Sequence, residues 1–374
     1  MMNSSASFKS HLYTLHAGDC TEVLKTLAPN SIEAAVTDPP YGLGDMSPAK
    51  VADCLSAWAR GEAWTPTGKG FMGKEWDAWT PGPEMWRELY RVLKPGAHAL
   101  IFAGSRTQDI MSIALRLAGF EVRDSLQWLY SSGAMSKSHD ISKAIDKQRH
   151  EAARAWEGWG TALRPAYEPV ILARKPLDGT AAQNTLTHGC GGLNIDGCRV
   201  GEEIMTAHAM SSLGFMGKWT SKPIPPTEKA GRFPRNILLD EAAAELLDAQ
   251  TGAPTSRFFY CAKASSAERE AGLEGDGHKR ANTHPTIKPL ALMRYLVRLI
   301  TPPGATCIDP FMGSGSTGCA VMQEGEGRRF VGIEREPGYL DIARARLAHY
   351  TPADTSPADE QLSLFDTDTD TQEP

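Results

Sequence analysis

The stretch "CIDPFMGSGSTGCAV", residues 307 to 321, constrains this chain more than any other. A short apolar run ends on Asp309-Pro310, then Gly313, Gly315 and Gly318 follow, and an apolar segment resumes. That order reads as strand, tight loop and helix. Glycines let the loop backbone take positive φ and approach a ligand closely. The helix start offers free N–H groups to a carboxylate or phosphate. "RRFVGIE" reads as the next strand and ends on Glu334, 19 residues after Gly315. An acid there can accept both ribose hydroxyls of an adenosine-bearing cofactor. Alone, Gly313-x-Gly315-x-x-Gly318 fits a nicotinamide or flavin dinucleotide equally well, and a tight turn with no ligand also accounts for it. Asp309-Pro310-Phe311 weighs against a dinucleotide, because those folds usually reach the loop through small apolar residues.

A second stretch, "VTDPPYGLG" at residues 36 to 44, ends another strand abruptly. Two prolines cannot continue a sheet ladder, and Pro39 pushes Asp38 towards an extended backbone. Asp38, the Pro39 carbonyl and the Tyr41 ring are therefore presented at a strand mouth, where open α/β sheets bind ligands.

The rest of the chain alternates helical and strand patterns on both sides of a less regular stretch. Strands are predicted in "HLYTLHAGD", "IEAAVTDPPY", "HALIFAG", "EVRDSLQWLY", "EPVILARK", "TCIDPF" and "RRFVGIE". Helices are predicted in "CTEVLKTLA", "PEMWRELYRVLKPG", "RTQDIMSIALRLAGF", "LALMRYLVRLI" and "YLDIARARLAHY". Residues 42–80 form a long Gly/Trp/Lys-rich connection, and residues 178–280 lose the alternation and read as a separate module. This divides the chain into a first catalytic part (1–177), that module (178–280), a second catalytic part (281–350) and a tail (351–374).

No apolar run reaches the roughly 18 residues of a membrane span, and the start lacks a signal-peptide core. Seven cysteines without CxxC or zinc-like spacing suggest reduced thiols, a cytoplasmic location and no metal site. The net charge of −6 misleads, because seven acids and no Lys or Arg lie in residues 351–374. With the tail set aside, 39 basic residues face 38 acidic ones. A near-neutral body neither demands nor forbids a nucleic-acid partner.

Together "DPPY" (38–41) and "DPFMGSGSTG" (309–318), with "GD" (18–19), "HPTIKP" (284–289) and "GIERE" (332–336), resemble the amino-methylating, S-adenosylmethionine-dependent DNA methyltransferases. The order, catalytic tetrapeptide first and cofactor loop last, is similar to the β group of these enzymes. "GGLNIDGCRV" and "GRFPRNILL" further resemble solitary phage and prophage members. The resemblance implies a circularly permuted, Rossmann-like α/β methyltransferase fold with an inserted target-recognition module. It implies S-adenosylmethionine as cofactor and a flipped base of double-stranded DNA as substrate. Aspartate leading "DPPY", where a serine is more typical of cytosine N4 enzymes, points to adenine N6. RNA and protein methylation also use Pro-Pro-aromatic motifs and stay open at this point.

By the same resemblance, Asp38, Pro39, Pro40 and Tyr41 are the catalytic residues. Asp38 and the Pro39 carbonyl accept the amino hydrogens, Pro40 stiffens the turn and Tyr41 stacks on the base. Asp309, Phe311, Gly313, Ser314 and Gly315 line the methionine and adenine portions of the cofactor. Glu334 takes the ribose hydroxyls, Asp19 sits beside the adenine amino group, and Thr286 and Lys288 meet the methionine carboxylate. For DNA, Lys69 and Lys74 lie in a loop with Arg60 and tryptophans 58, 64, 76 and 79, a basic–aromatic mixture that unpaired bases favour. Apolar packing of the tryptophans explains the loop equally well. Lys218, Arg232 and Arg235 in the 178–280 module are candidates for phosphate contact, and a solvated charged surface explains them almost as well. Related β-group enzymes often pair, so a homodimer is compatible with the resemblance. In the tail, Gln361, Leu362, Leu364 and Phe365 of "QLSLF" resemble the short peptides that dock on the bacterial sliding clamp.

Overall fold

The computed structural model describes residues 7–44, 46–66, 70, 77–131, 138–148, 151–207, 227–262, 267–273 and 281–352. Twelve strands lie in them: β1 (Ser7–Lys9), β2 (Tyr13–Ala17), β3 (Ile32–Thr37), β4 (Leu93–Phe102), β5 (Glu121–Leu129), β6 (Tyr167–Arg174), β7 (Val200–Ala207), β8 (Thr227–Arg232), β9 (Ile237–Asp240), β10 (Tyr260–Ala262), β11 (Thr306–Asp309) and β12 (Arg329–Glu334). Ten form one sheet in the order β1-β2-β12-β11-β3-β4-β6-β5-β9-β10, and β7 pairs with β8 in a separate hairpin. Strands β2, β12, β11, β3 and β4 run parallel, while β6 lies antiparallel between β4 and β5.

The chain leaves β11 towards β12 on one side and β3 towards β4 on the other. Neighbouring strands whose connections diverge open a crevice at their carboxyl ends, so the fold places its cleft between β11 and β3. Both strands are buried along their length and read as apolar runs rather than alternations.

Two apolar clusters cover the sheet. The helix Leu290–Ile300 buries Leu292, Met293, Leu296, Val297 and Ile300 in one, against Leu100, Phe102 and Val36. The helices Pro83–Val92 and Gln108–Ala118 bury Trp86, Leu89, Met111 and Leu115 in the other. Each such side chain contributes about 1.5–3 kcal/mol relative to an exposed one.

Three sequence expectations change. "LKPG" does not cap a helix; it opens β4, and the helix ends at Val92. The 42–80 connection carries an unforeseen helix, Pro48–Ala59. Residues 178–280 are not a body apart: β9 pairs with β5, and β10 with β9, on the main sheet. The helix Ala181–His188 also docks on that sheet, with Asn184 Nδ2 donating to the Pro95 carbonyl.

Candidate active site at the β3–β11 switch point

Both sequence motifs meet in one cleft of about 1360 Å³. β3 delivers Asp38 to its floor, one residue beyond the last strand position. The turn after it is tied down from two sides. Asp77 accepts from the N–H groups of Tyr41 (2.9 Å) and Gly42 (3.1 Å), and Thr107 Oγ1 donates to the Tyr41 carbonyl at 2.6 Å. Gly42 has φ +68°, and a Cβ there would lie 2.7 Å from the Thr80 nitrogen. Glycine is required at this position.

β11 delivers Asp309, which is buried. Its carboxylate accepts from Thr37 Oγ1 (2.6 Å), Thr317 Oγ1 (2.6 Å) and the Phe311 N–H (3.0 Å). Burial pushes this carboxyl up to about 6, against the lowering effect of those hydrogen bonds. Asp309 therefore joins the two halves of the site from within, and the cofactor loop begins on it. The Gly313 N–H donates to Glu334 Oε2 at 2.8 Å, and the Glu336 N–H donates to Glu334 Oε1 at 2.8 Å. Burial holds Glu334 above the usual carboxylate range. The acid at the end of β12 is thus fixed by backbone donors on both oxygens, each keeping a lone pair for a hydroxyl.

The remaining cofactor candidates also line the cleft: Asp19, Phe311, Ser314 and Thr286. Asp19 caps the helix Cys20–Thr26 by accepting from the Thr21 and Glu22 N–H groups. Ser314 is buried and receives Arg346 Nη1 on its carbonyl (2.6 Å) and its hydroxyl (3.1 Å). Gly315 has φ +82°, and a Cβ would come within 2.7 Å of Leu347. That glycine does not line the cleft; it serves packing of the loop on the helix Pro337–Tyr350.

Lys288 stands elsewhere than expected. Its ammonium lies 2.8 Å from Asp38 Oδ2, 3.1 Å from Glu168 Oε2 and 3.2 Å from the Tyr41 hydroxyl oxygen. The residue is 8% exposed. Burial pulls its pKa down, but the two carboxylates outweigh this and hold the ammonium charged, above the ordinary lysine range. The Tyr41 hydroxyl sits 2.8 Å from Asp38 Oδ1 and 2.9 Å from Glu168 Oε2. Burial, then the two negative charges, push that phenol well up, so it keeps its proton. Sequence reading missed Glu168, Asp77 and Thr107, which are distant from DPPY in the chain and carry no motif.

The candidate DNA residues are mostly engaged or out of view. Lys69, Lys74, Trp76 and Lys218 lie outside the described residues. Trp58 and Trp79 are core residues, Trp64 packs on Trp79 at 4.8 Å, and Arg60 pairs with Glu62. Among the tryptophans described, packing is the reading that holds. Arg232 pairs with Glu203 and lies over the Phe258 ring, while Arg235 is exposed. Among the described residues no group of His, Cys, Asp and Glu could hold a metal ion, and all seven cysteines are free. No helix among them is long and apolar enough to cross a membrane.

The chain is 26% identical over 355 residues to the type II methyltransferase M.HindIII of Haemophilus influenzae, covering 89% of this chain and 94% of that protein. Over a shorter stretch of 69 residues it is 48% identical to the type II methyltransferase M2.DpnII of Streptococcus pneumoniae, 18% of this chain and 25% of that one. Among solved structures, the cytosine-N4-specific PvuII DNA methyltransferase aligns at 14% identity and a TM-score of 0.49, over 94% of this chain and 90% of that one. The family model for DNA methylases named N6_N4_Mtase matches residues 32–345, a span that holds the DPPY turn, the glycine loop and Glu334. The chain belongs to that family of DNA methylases, and its methyl donor is S-adenosylmethionine.

Proposed function

We propose that this DNA methyltransferase acts on the N6 amino group of adenine, with Asp38 and the Pro39 carbonyl as the two acceptors of the amino hydrogens. One observation carries the reading: an aspartate, and not a serine, leads the turn, and its carboxylate is held in place by Lys288 and Tyr41. An exocyclic amino nitrogen is a poor nucleophile because its lone pair is delocalised into the ring. Two acceptors on its hydrogens draw the nitrogen towards tetrahedral geometry and aim the lone pair. The fixed turn sets that orientation before reaction. S-adenosylmethionine supplies a methyl group already activated by its positive sulfur. Glu334 would hold the ribose hydroxyls, and the Gly313–Gly315 backbone would run along the methionine portion.

The amino nitrogen must also shed a proton. Lys288 and Tyr41 bring four hydrogens to five short contacts among Asp38, Tyr41, Glu168 and Lys288. The cluster is one hydrogen short, and a proton arriving on either carboxylate would complete it. Glu168 is thus the natural second acceptor behind Asp38.

The test is chemical. Duplex DNA treated with the protein and S-adenosylmethionine, digested to nucleosides, should contain N6-methyladenine; N4-methylcytosine without it overturns the adenine reading. Modified-base sequencing of host DNA after expression then identifies the site. For the cofactor, Glu334→Ala should weaken S-adenosylhomocysteine binding roughly 10- to 150-fold in calorimetry, from lost charged hydrogen bonds of about 1.5–3 kcal/mol. Unchanged affinity would remove Glu334 from the ribose site.

We further propose that the enzyme works in the cytoplasm and docks on the sliding clamp through "QLSLF", residues outside the described set. The supporting feature is composition: this is the apolar patch of an acidic tail that cannot bury it alone. Docking would raise the local concentration at newly copied DNA. Purified clamp should be pulled down by the full chain and not by Leu364→Ala/Phe365→Ala; equal recovery retires the proposal.

A further inference from the structure

The segment between β5 and β6 took no part in the sequence reading, yet it forms one wall of the active-site cleft. Its last turn, residues 160–166, is fixed at both ends. Ser138 Oγ accepts from the Thr161 N–H (3.0 Å) and the Ala162 N–H (3.3 Å), while Thr161 Oγ1 accepts from the His139 N–H (2.9 Å). Gly160 bridges to Asp140, and the Ala166 carbonyl accepts from the Tyr130 N–H at 3.0 Å. At the tip of this pinned turn stands Leu163, 93% exposed, followed by the stiff Pro165. Five residues later the same strand start carries Glu168, which contacts Tyr41.

A leucine so exposed is unfavourable in water, and a pinned turn cannot fold it away. Leu43 also lines the cleft, but it is only 37% exposed. Leu186 is also exposed, but it lies on the helix Ala181–His188, away from the cleft. Leu163 lines the cleft that holds Asp38 and Tyr41. Earlier in the same segment Trp156 and Trp159 stack edge to face at 5.3 Å, both exposed.

A base that reaches Asp38 must leave its duplex and leave a gap in the stack. Apolar side chains that enter a duplex between bases hold such gaps open. We infer that Leu163 is the wedge that enters the DNA stack as the target base turns into the cleft, with Trp156 and Trp159 flanking the displaced strand. The inference rests on the DNA amino-methyltransferase reading. It commits to duplex DNA as the occupant because the exposed side chain is continuous with the cleft that receives the base.

The experiment uses the full chain and a duplex oligonucleotide carrying the recognition sequence. Two forms are compared, one with the target base paired and one with it opposite an abasic site, where no pair needs breaking. Leu163→Ala should lower kcat/KM at least tenfold on the paired duplex and recover most of that loss on the abasic one. Leu163→Phe should stay close to wild type on both. With 2-aminopurine at the target position, wild type should raise fluorescence several-fold and Leu163→Ala should not. Equal losses on both duplexes, no loss on either, or a changed oligomeric state with an unchanged ratio would each overturn the wedge. A wild-type protein that methylates no duplex would overturn the functional reading itself, a result separable from all of these.

Discussion

Asp38→Ala is expected to lower turnover at least about a thousandfold while S-adenosylhomocysteine affinity stays within about threefold. The magnitude is that of removing a positioned group from charge stabilisation or proton transfer in a reaction. The split follows from the geometry. Asp38 faces Lys288, Tyr41 and the open cleft, whereas the cofactor loop is organised separately by Asp309 and Glu334. Lys288 keeps Glu168 as a partner in the variant, so no buried cation is stranded. Asp38→Asn retains one acceptor but places an amide donor in the cluster, and it should recover only part of the loss. A variant with near-normal turnover would strip the DPPY turn of its assigned role.

Lys288→Met should have the largest effect on stability. It leaves two carboxylates facing one phenol with no cation, in a place where the lysine itself is almost fully covered. Removing one partner of a buried ionic set costs about 3–5 kcal/mol, and the partly open carboxylates place this case near the lower figure. Adding Glu168→Gln should restore part of the loss at neutral pH, because it removes the like charge. A melting temperature equal to wild type would show that Lys288 does not balance these groups.

Much of the architecture was legible because its signals are local. Strand ends at Asp38 and Asp309, glycine at the loop, and helix breaks near Gly119 all rest on neighbours in sequence. The same locality explains the misses. Glu168 gains its meaning from a strand that inserts antiparallel beside β4, and no spacing around it records that neighbour. Lys288 was assigned to the cofactor carboxylate through its motif, but the start of the helix Leu290–Ile300 directs it across to Asp38. Tryptophans 58 and 79 look like base-stacking residues when read as part of a loop. The helix Pro48–Ala59 and the turn before Pro83 bury them instead. The 178–280 stretch reads as separate because β9 and β10 are too short to show a period, although both extend the central sheet.

The hydrogen bond from Thr37 to Asp309 spans 272 residues of sequence. On a ribosome adding about 5–20 residues per second, β11 emerges roughly 15–50 s after β3. Through that interval the inner edge of β3 lacks its partner strand, and the carboxyl that closes the site has not been made. A cofactor site therefore needs both β11, which carries Asp309, and the later β12, which carries Glu334. Any form that ends before these strands lacks Asp309, the glycine loop and Glu334.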